Sequence, residues 1–265
     1  MNLSSDGIAH IVLARPERGN SLGQDEAKGL EGLLDKIESK KLQGVLFSSV
    51  GSRFFCAGGN LEDQRRLSDP ESTLRTQKAI ATQLDRLSKL KIPTGAAIDG
   101  DCFGGGMELL AAFDFVLATP HSFFGLWQGR LGLTPGWGGV RLQNRLSPKV
   151  WETLLLSTQT LSAYQAHRLG LVDGVVPRDQ LEERVGAWIR GVCQRSFLKK
   201  ERISVLESTN QSEIFDSLWF NPRHRDVLGL GQGTKPSPQA PSRPSESQSK
   251  HQKGKSRRTY MRAKR

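Results

Sequence analysis

The chain has 265 residues, 36% of them hydrophobic and 25% charged, with 28 glycines and a formal net charge of +11, which is a globular composition and excludes fibrous and wholly disordered classes. Residues 231–265 hold ten basic side chains against one acid, Glu246, so they carry +9 and leave only +2 on residues 1–230. A nearly neutral body excludes a uniformly basic nucleic-acid-binding domain.

In chain order, the apolar run Ile8 to Leu13 reads as a buried strand that stops at Arg15-Pro16, because proline cannot donate to a ladder. Leu30, Leu33, Leu34 and Ile37 recur at helical spacing behind Ser21, an expected N-cap. Gly44 to Val50 is the next strand and the glycine-rich stretch after it a loop. A helix is expected over Glu71 to Leu90, with Ile80, Leu84, Leu87 and Leu90 as its inner stripe. Thr94 to Ile98 reads as a strand, Gly100 to Gly106 as a loop, Met107 to Ala112 as a helix and Phe113 to Ala118 as a strand. Gly125 to Gly139 is a loop feeding a helix at Val140 to Arg145, and Pro148 suits the first turn of another. Gln165 to Leu169 reads as helical and Leu171 to Val176 as a short strand. Leu181, Val185, Trp188, Ile189 and Val192 mark an amphipathic helix, and residues up to 230 continue as helix with a break at Pro222. Strands alternating with helices at this pace indicate an α/β fold with crossover connections.

From residue 231 onward Gly, Pro, Ser, Gln and Lys replace large apolar side chains, so nothing offsets the entropy of ordering and a disordered basic tail is expected. The tail reads as solvated, with contact to an anionic partner as the other reading. Cys56, Cys102 and Cys193 form no CxxC pair, so neither a metal site nor a disulfide framework is indicated, and a reducing, cytoplasmic setting follows. No secretory signal or membrane span is legible: the most apolar window, Met107 to Ala118, contains Glu108 and Asp114.

Two glycine-centred segments each follow an expected strand: FFCAGGNL at residues 54–61 and GDCFGGGMEL at residues 100–109. Glycines let a main-chain N–H face a ligand with no Cβ in the way, and the second cluster runs into a helix, where unpaired donors concentrate. Two such loops could aim two N–H groups at one oxygen, an oxyanion hole; two tight strand-to-helix turns are the plainer reading. The GxGxxG spacing and the Walker lysine pattern are both absent, so these loops are not read as nucleotide cradles.

With IVLARPERGNSL, FFCAGGNLED, IPTGAAIDGDCFGGGMELLAAFDFVLAT, FFGLWQGRLGLTPGWGGVRL and LSAYQAHRLGLVDGVVP in that order, the chain resembles the enoyl-CoA hydratase/isomerase, or crotonase, superfamily over roughly residues 8 to 177. The resemblance implies an α/β spiral of ββα repeats forming a CoA-thioester core at residues 1–177, a helical oligomerisation region at 178–230, the tail at 231–265, and a homotrimer or dimer of trimers. It implies an acyl-CoA thioester as substrate, with no separate cofactor or metal. The oxyanion amides correspond to Gly59 and Gly105, and Ala57, Gly58, Asn60, Leu61, Gly104, Pro135, Gly136 and Arg15 to residues lining the bound thioester or its CoA, with Arg18 beside Arg15. Glu108 matches the first catalytic glutamate of the hydratases. The second departs: Gln128 stands there, with Trp127 in place of the usual proline, and an amide can orient water but cannot deliver a proton.

Three functions therefore stand open. The first is an enoyl-CoA hydratase/isomerase-type enzyme working through a stabilised enolate. The second is decarboxylation of a malonyl-type acyl-CoA, which makes the enolate without a base; the PGWGG run and residues 218–228 look somewhat like ethylmalonyl- and methylmalonyl-CoA decarboxylases. The third is a non-catalytic acyl-CoA-binding scaffold with a recruiting tail. Arg130 is read either as a receptor for a substrate carboxylate or as a solvated charge. Cys56 and Cys102 are read as packing residues, Asp114 as a structural hydrogen-bonding group, and His167 and Trp188 as helix residues in packing.

Overall fold

Short strands carry the fold, and between Gly44 and Gly125 consecutive strands alternate between two sheets. The computed structural model describes residues 2–66 and 69–194, all within one compact unit, Met1–Asn210; the expected helix beyond these residues, its break at Pro222 and the basic tail lie outside the described residues. The first sheet has six strands, β1 (Asn2–Leu3), β2 (Ile8–Leu13), β3 (Gly44–Ser49), β5 (Thr94–Ile98), β7 (Phe115–Ala118) and β10 (Gly174–Val175), in the order β1-β2-β3-β5-β7-β10. Only β1 runs antiparallel to its neighbour. The second has four, β4 (Phe54–Cys56), β6 (Asp101–Phe103), β8 (Phe123–Gly125) and β9 (Thr160–Ser162), with β4, β6 and β8 parallel and β9 antiparallel to β8.

Each turn of the chain thus lays one strand in the large sheet, the next in the small sheet, and then returns through helix. After β4 come α2 (Leu61–Arg66) and α3 (Pro70–Ser88), after β6 comes α4 (Gly105–Leu110), and after β8 come α5 (Gly139–Arg145) and α6 (Pro148–Ser157). This is the expected spiral of ββα units. Its consequence for function is direct: three neighbouring parallel strands of the small sheet end side by side, at Cys56, Phe103 and Gly125, and release three loops at one edge. Carboxyl ends of parallel strands are where α/β folds place ligands.

The helices bury the stripes their spacing promised. Leu34 and Ile37 of α1 (Gln24–Glu38) and Ile80, Leu84 and Leu87 of α3 are buried, and Phe47 of β3 tilts against Phe113 at 5.0 Å. Val185 and Ile189 of α8 (Arg178–Gln194) are fully buried with Leu46, Ala97 and Leu117 on the large sheet, and Trp188 stacks on Phe115 at 4.7 Å. His167, in α7 (Ala163–Arg168), bonds through Nδ1 to the Val172 carbonyl at 3.1 Å.

Several local expectations are corrected. Gly23 rather than Ser21 precedes α1, and its N–H donates to Glu26 at 2.8 Å, so the acid one turn in does the capping. The loops expected at 100–106 and 125–139 contain β6 and the end of β8, three-residue strands too short to show alternation, and β9 was not anticipated. The strand expected at Leu171 to Val176 shrinks to two residues because the Asp173 carboxylate takes the Val116 N–H at 2.7 Å in place of a ladder partner.

Asp114 has the structural hydrogen-bonding role read for it. Its Oδ2 accepts from the Thr94 N–H at 2.8 Å and the Thr94 hydroxyl at 2.9 Å, tying the start of β7 to the start of β5. Hydrogen bonds to a charged group contribute roughly 1.5–3 kcal/mol. Asp114→Ala is therefore expected to lower the unfolding free energy by about that amount in urea titration, with an unchanged dependence on urea concentration.

Candidate active site

The two glycine turns meet backbone against backbone. Gly58, with φ at 105°, follows β4, and Gly104, with φ at 54°, follows β6. A Cβ on Gly58 would sit 2.9 Å from the Phe103 carbonyl oxygen and 3.0 Å from the Gly105 nitrogen, so a side chain there would force the turns apart. Three neighbouring amides of these turns are committed: Ala57 N–H donates to Gly19 at 2.9 Å, Asn60 N–H to Leu22 at 2.9 Å and Gly104 N–H to Gly125 at 2.9 Å. Among the described residues, the Gly59 and Gly105 N–H groups have no protein acceptor. Main-chain donors are nearly always paired when buried, so the buried Gly105 N–H and the half-buried Gly59 N–H are open to an acceptor from outside the protein.

Both glycines line a cavity of about 570 Å³ together with Ala57, Gly58, Leu61, Gly104, Glu108, Gln128 and Gly136. Nine of the residues expected from sequence thus converge. Three do not. Asn60 is buried beneath the turn, where its Oδ1 accepts from the Glu62 and Asp63 N–H groups at 3.1 Å each. Pro135 lies beside Gly139, outside the lining. Arg15 is bonded to Glu26 and 4.0 Å from Glu17, away from the cavity wall, and Arg18 is 3.6 Å from Asp63.

Glu108 is 2% exposed, in the first turn of α4. Its carboxylate receives four donors: Oε2 takes the Trp137 and Gly138 N–H groups at 2.6 Å each, and Oε1 takes Gly136 N–H at 3.3 Å and Gln128 Nε2 at 3.0 Å. Burial lifts its pKa above the usual 4.5 and outweighs these hydrogen bonds, which pull the other way. The bond to Glu108 orients the Gln128 amide and leaves its Oε1 buried without a partner among the described residues. Glu108 is the one carboxylate on the cavity wall among those residues.

Sequence reasoning passed over the side chain that shapes the closed end. Trp137, 6% exposed, lays its indole on both turns: its ring carbons come within 2.2 Å of where a Cβ on Gly105 would stand and 3.5 Å of one on Gly59. Its Nε1 donates to Gln77 Oε1 of α3 at 2.7 Å. A tryptophan inside a glycine run was the available signal; for Gln77 there was none. On another wall Phe103 stacks on Trp127 at 3.7 Å, and the Arg130 guanidinium lies 4.2 Å over the indole while donating to the Thr158 carbonyl at 2.9 Å. Leu61, Leu74, Leu131 and Leu133, 44–59% exposed, line the cavity where it opens.

Cys56 and Cys102 are register partners in the small sheet and fully buried, which pushes the Cys56 thiol up to about 12 and the Cys102 thiol upward as well. Thiols held protonated are poor nucleophiles. Among the described residues no group of three or more His, Cys, Asp or Glu side chains is placed to hold a metal ion, and no helix is long and apolar enough to cross a membrane.

Comparison with known proteins agrees with this architecture. The chain is 38% identical over 182 residues to the enoyl-CoA isomerase/hydratase fer4 of Mycosarcoma maydis, covering 64% of this chain and 66% of that protein. It is 33% identical over 178 residues to the mitochondrial enoyl-CoA hydratase domain-containing protein 2 of Mus musculus, covering 66% and 60%. The chain thus spans about 60–66% of the length of these curated relatives. Among solved structures it shares the fold of an enoyl-CoA hydratase from Bacillus anthracis, with TM-score 0.78 and 24% identity over 86% of this chain and 94% of that one. It also superposes on human enoyl Coenzyme A hydratase domain-containing protein 3, with TM-score 0.76 and 23% identity over 88% and 97%. The sequence pattern of the enoyl-CoA hydratase/isomerase family matches residues 4–206, and with the paired strand ends and glycine turns that match encloses, the chain belongs to that family.

Proposed function

We propose that this chain acts on an acyl-CoA thioester, holding the thioester oxygen with the N–H groups of Gly59 and Gly105 while the acyl group becomes an enolate. The observation that carries the reading is the pair of unpartnered main-chain donors on touching turns at one largely apolar cavity. Donors fixed before reaction stabilise developing charge without reorganising, and losing one costs about 2.7–4 kcal/mol of barrier.

The ionisable groups on the wall narrow the chemistry. Two-carboxylate hydration needs a base and a separate proton donor, and Gln128 stands where the second would be. Decarboxylation of a malonyl-type thioester needs neither to make the enolate. The bond from Cα to the carboxylate breaks and CO₂ leaves, the electron pair forms the enolate, the oxygen charge rests on the two N–H groups, and Cα then takes a proton from solvent water. Glu108 as the sole lining carboxylate among the described residues favours this second reading, and Arg130 is the cation on the wall nearest in kind to what a substrate carboxylate requires.

A side-by-side assay tests the choice. Malonyl-type thioesters are expected to lose CO₂ faster than a crotonyl-type thioester is hydrated, and Gln128→Glu is expected to raise hydration by a factor within the roughly 10²–10⁴ range of general acid–base catalysis. Fast hydration by the native chain, abolished in Glu108→Gln, would overturn decarboxylation and leave the enolate reading standing. Turnover of neither thioester would overturn both.

Burial gives a second test through pH. Glu108 binds its proton more tightly than an ordinary glutamate, so its basic form is lost as pH falls while still above 4.5. Exchange of the acyl α-protons with deuterium, which needs that base, should rise with pH along this displaced limb and then level off. CO₂ release, in which no base takes part, should vary less over the same interval than exchange does.

A further inference from the structure

The outer and inner ends of the cavity differ in kind. The exposed leucines Leu61, Leu74, Leu131 and Leu133 surround the opening, whereas Glu108, Gly105 and Trp137 are buried at the other end. A ligand whose carbonyl oxygen reaches the Gly59 and Gly105 N–H groups has the Trp137 indole beside both turns and the Gln64 amide beside Gly59. The closeness is measurable: the ring leaves no room for a methyl group on Gly105 and is in van der Waals range of one on Gly59.

That indole is fastened at two independent points. Its own main-chain N–H is bonded to Glu108 Oε2 at 2.6 Å, and its Nε1 to Gln77 Oε1 of α3 at 2.7 Å. The Arg141 Nη2 adds a third hold on the Trp137 carbonyl at 2.6 Å. A large, flat side chain with both ends tied has little freedom to swing aside and works as a fixed wall. The rim leucines, by contrast, touch whatever part of the ligand remains near solvent and cannot measure its buried end.

Resting on the acyl-CoA reading above, we infer that Trp137 is a specificity-determining residue: it sets the depth available to the acyl group beyond the thioester carbon and restricts the site to short acyl chains, with Gln77 as its positioning residue. The restriction acts by exclusion, since each methylene that cannot enter forfeits its burial.

The test uses binding, which does not depend on the reaction catalysed. Acetyl-, butyryl- and octanoyl-CoA are titrated calorimetrically into the full chain and into Trp137→Ala. The native chain is expected to bind butyryl-CoA at least as tightly as octanoyl-CoA. Removing the indole is expected to raise the octanoyl-to-butyryl affinity ratio by about tenfold or more, at roughly fourfold per methylene newly buried. Trp137→Leu, which keeps an apolar side chain in the core, should move the ratio the same way if the alanine variant does not fold. Gln77→Leu should give a smaller shift in the same direction. An unchanged ratio in variants that still bind acyl-CoA overturns the inference and leaves the acyl-CoA reading intact. Variants that bind neither chain length show the indole to be structural and overturn it too. Failure of the native chain to bind any acyl-CoA overturns the reading on which the inference rests.

Discussion

The Glu108 carboxylate is the knot that holds the cavity together. Three successive main-chain N–H groups, from Gly136, Trp137 and Gly138, converge on its two oxygens, and the Gln128 amide completes the set. Through it a loop nearly thirty residues away in sequence is drawn onto the start of α4, bringing Trp137 with it. Each N–H left unpaired by loss of the carboxylate would cost about 1–3 kcal/mol, so the charge maintains the shape of the site. Four hydrogen bonds engage the lone pairs of this carboxylate and oppose its protonation, and burial outweighs them by lifting its affinity for a proton.

The sheet supplies what that interaction cannot. Because β4, β6 and β8 are hydrogen-bonded parallel neighbours, their ends lie about one strand spacing apart, 4.7–4.9 Å. Gly59, Gly105 and Gln128 each follow one of these ends within a few residues. The separation of the two candidate donors is thus inherited from the ladder, and the glycines only allow the turns to close on each other. Gly106 extends this contact, since a Cβ there would stand 2.3 Å from the Cys56 carbonyl oxygen.

Much of this was legible in the sequence, for reasons that differ by element. The helical stripes of α1, α3 and α8 follow from 3.6-residue spacing and are buried as their periodicity indicates. The glycine clusters stood out by composition and by their place after strands, whereas Glu108 and Gln128 were marked by the resemblance to the enoyl-CoA hydratase/isomerase family. Three-residue strands such as β6 and β9 carry too few side chains to show a period, and the division into two sheets was accordingly invisible. Trp137 and Gln77 are sixty residues apart, joined by a single hydrogen bond that no local pattern encodes. Asn60 and Arg15, expected near the ligand, are instead spent on a helix start and an ion pair, since a polar side chain close to a turn satisfies the nearest unpaired group first.

The candidate oxyanion donors belong to the peptide backbone, and this has a bearing on inheritance. A codon change can erase a carboxylate, a hydroxyl or an imidazole in one step, but a main-chain amide hydrogen is lost only to proline, or displaced where a new side chain does not fit, as at Gly58 and Gly105. Divergence can therefore alter neighbouring side chains such as Gln128 and Trp127 while the two candidate donors pass intact from one generation to the next.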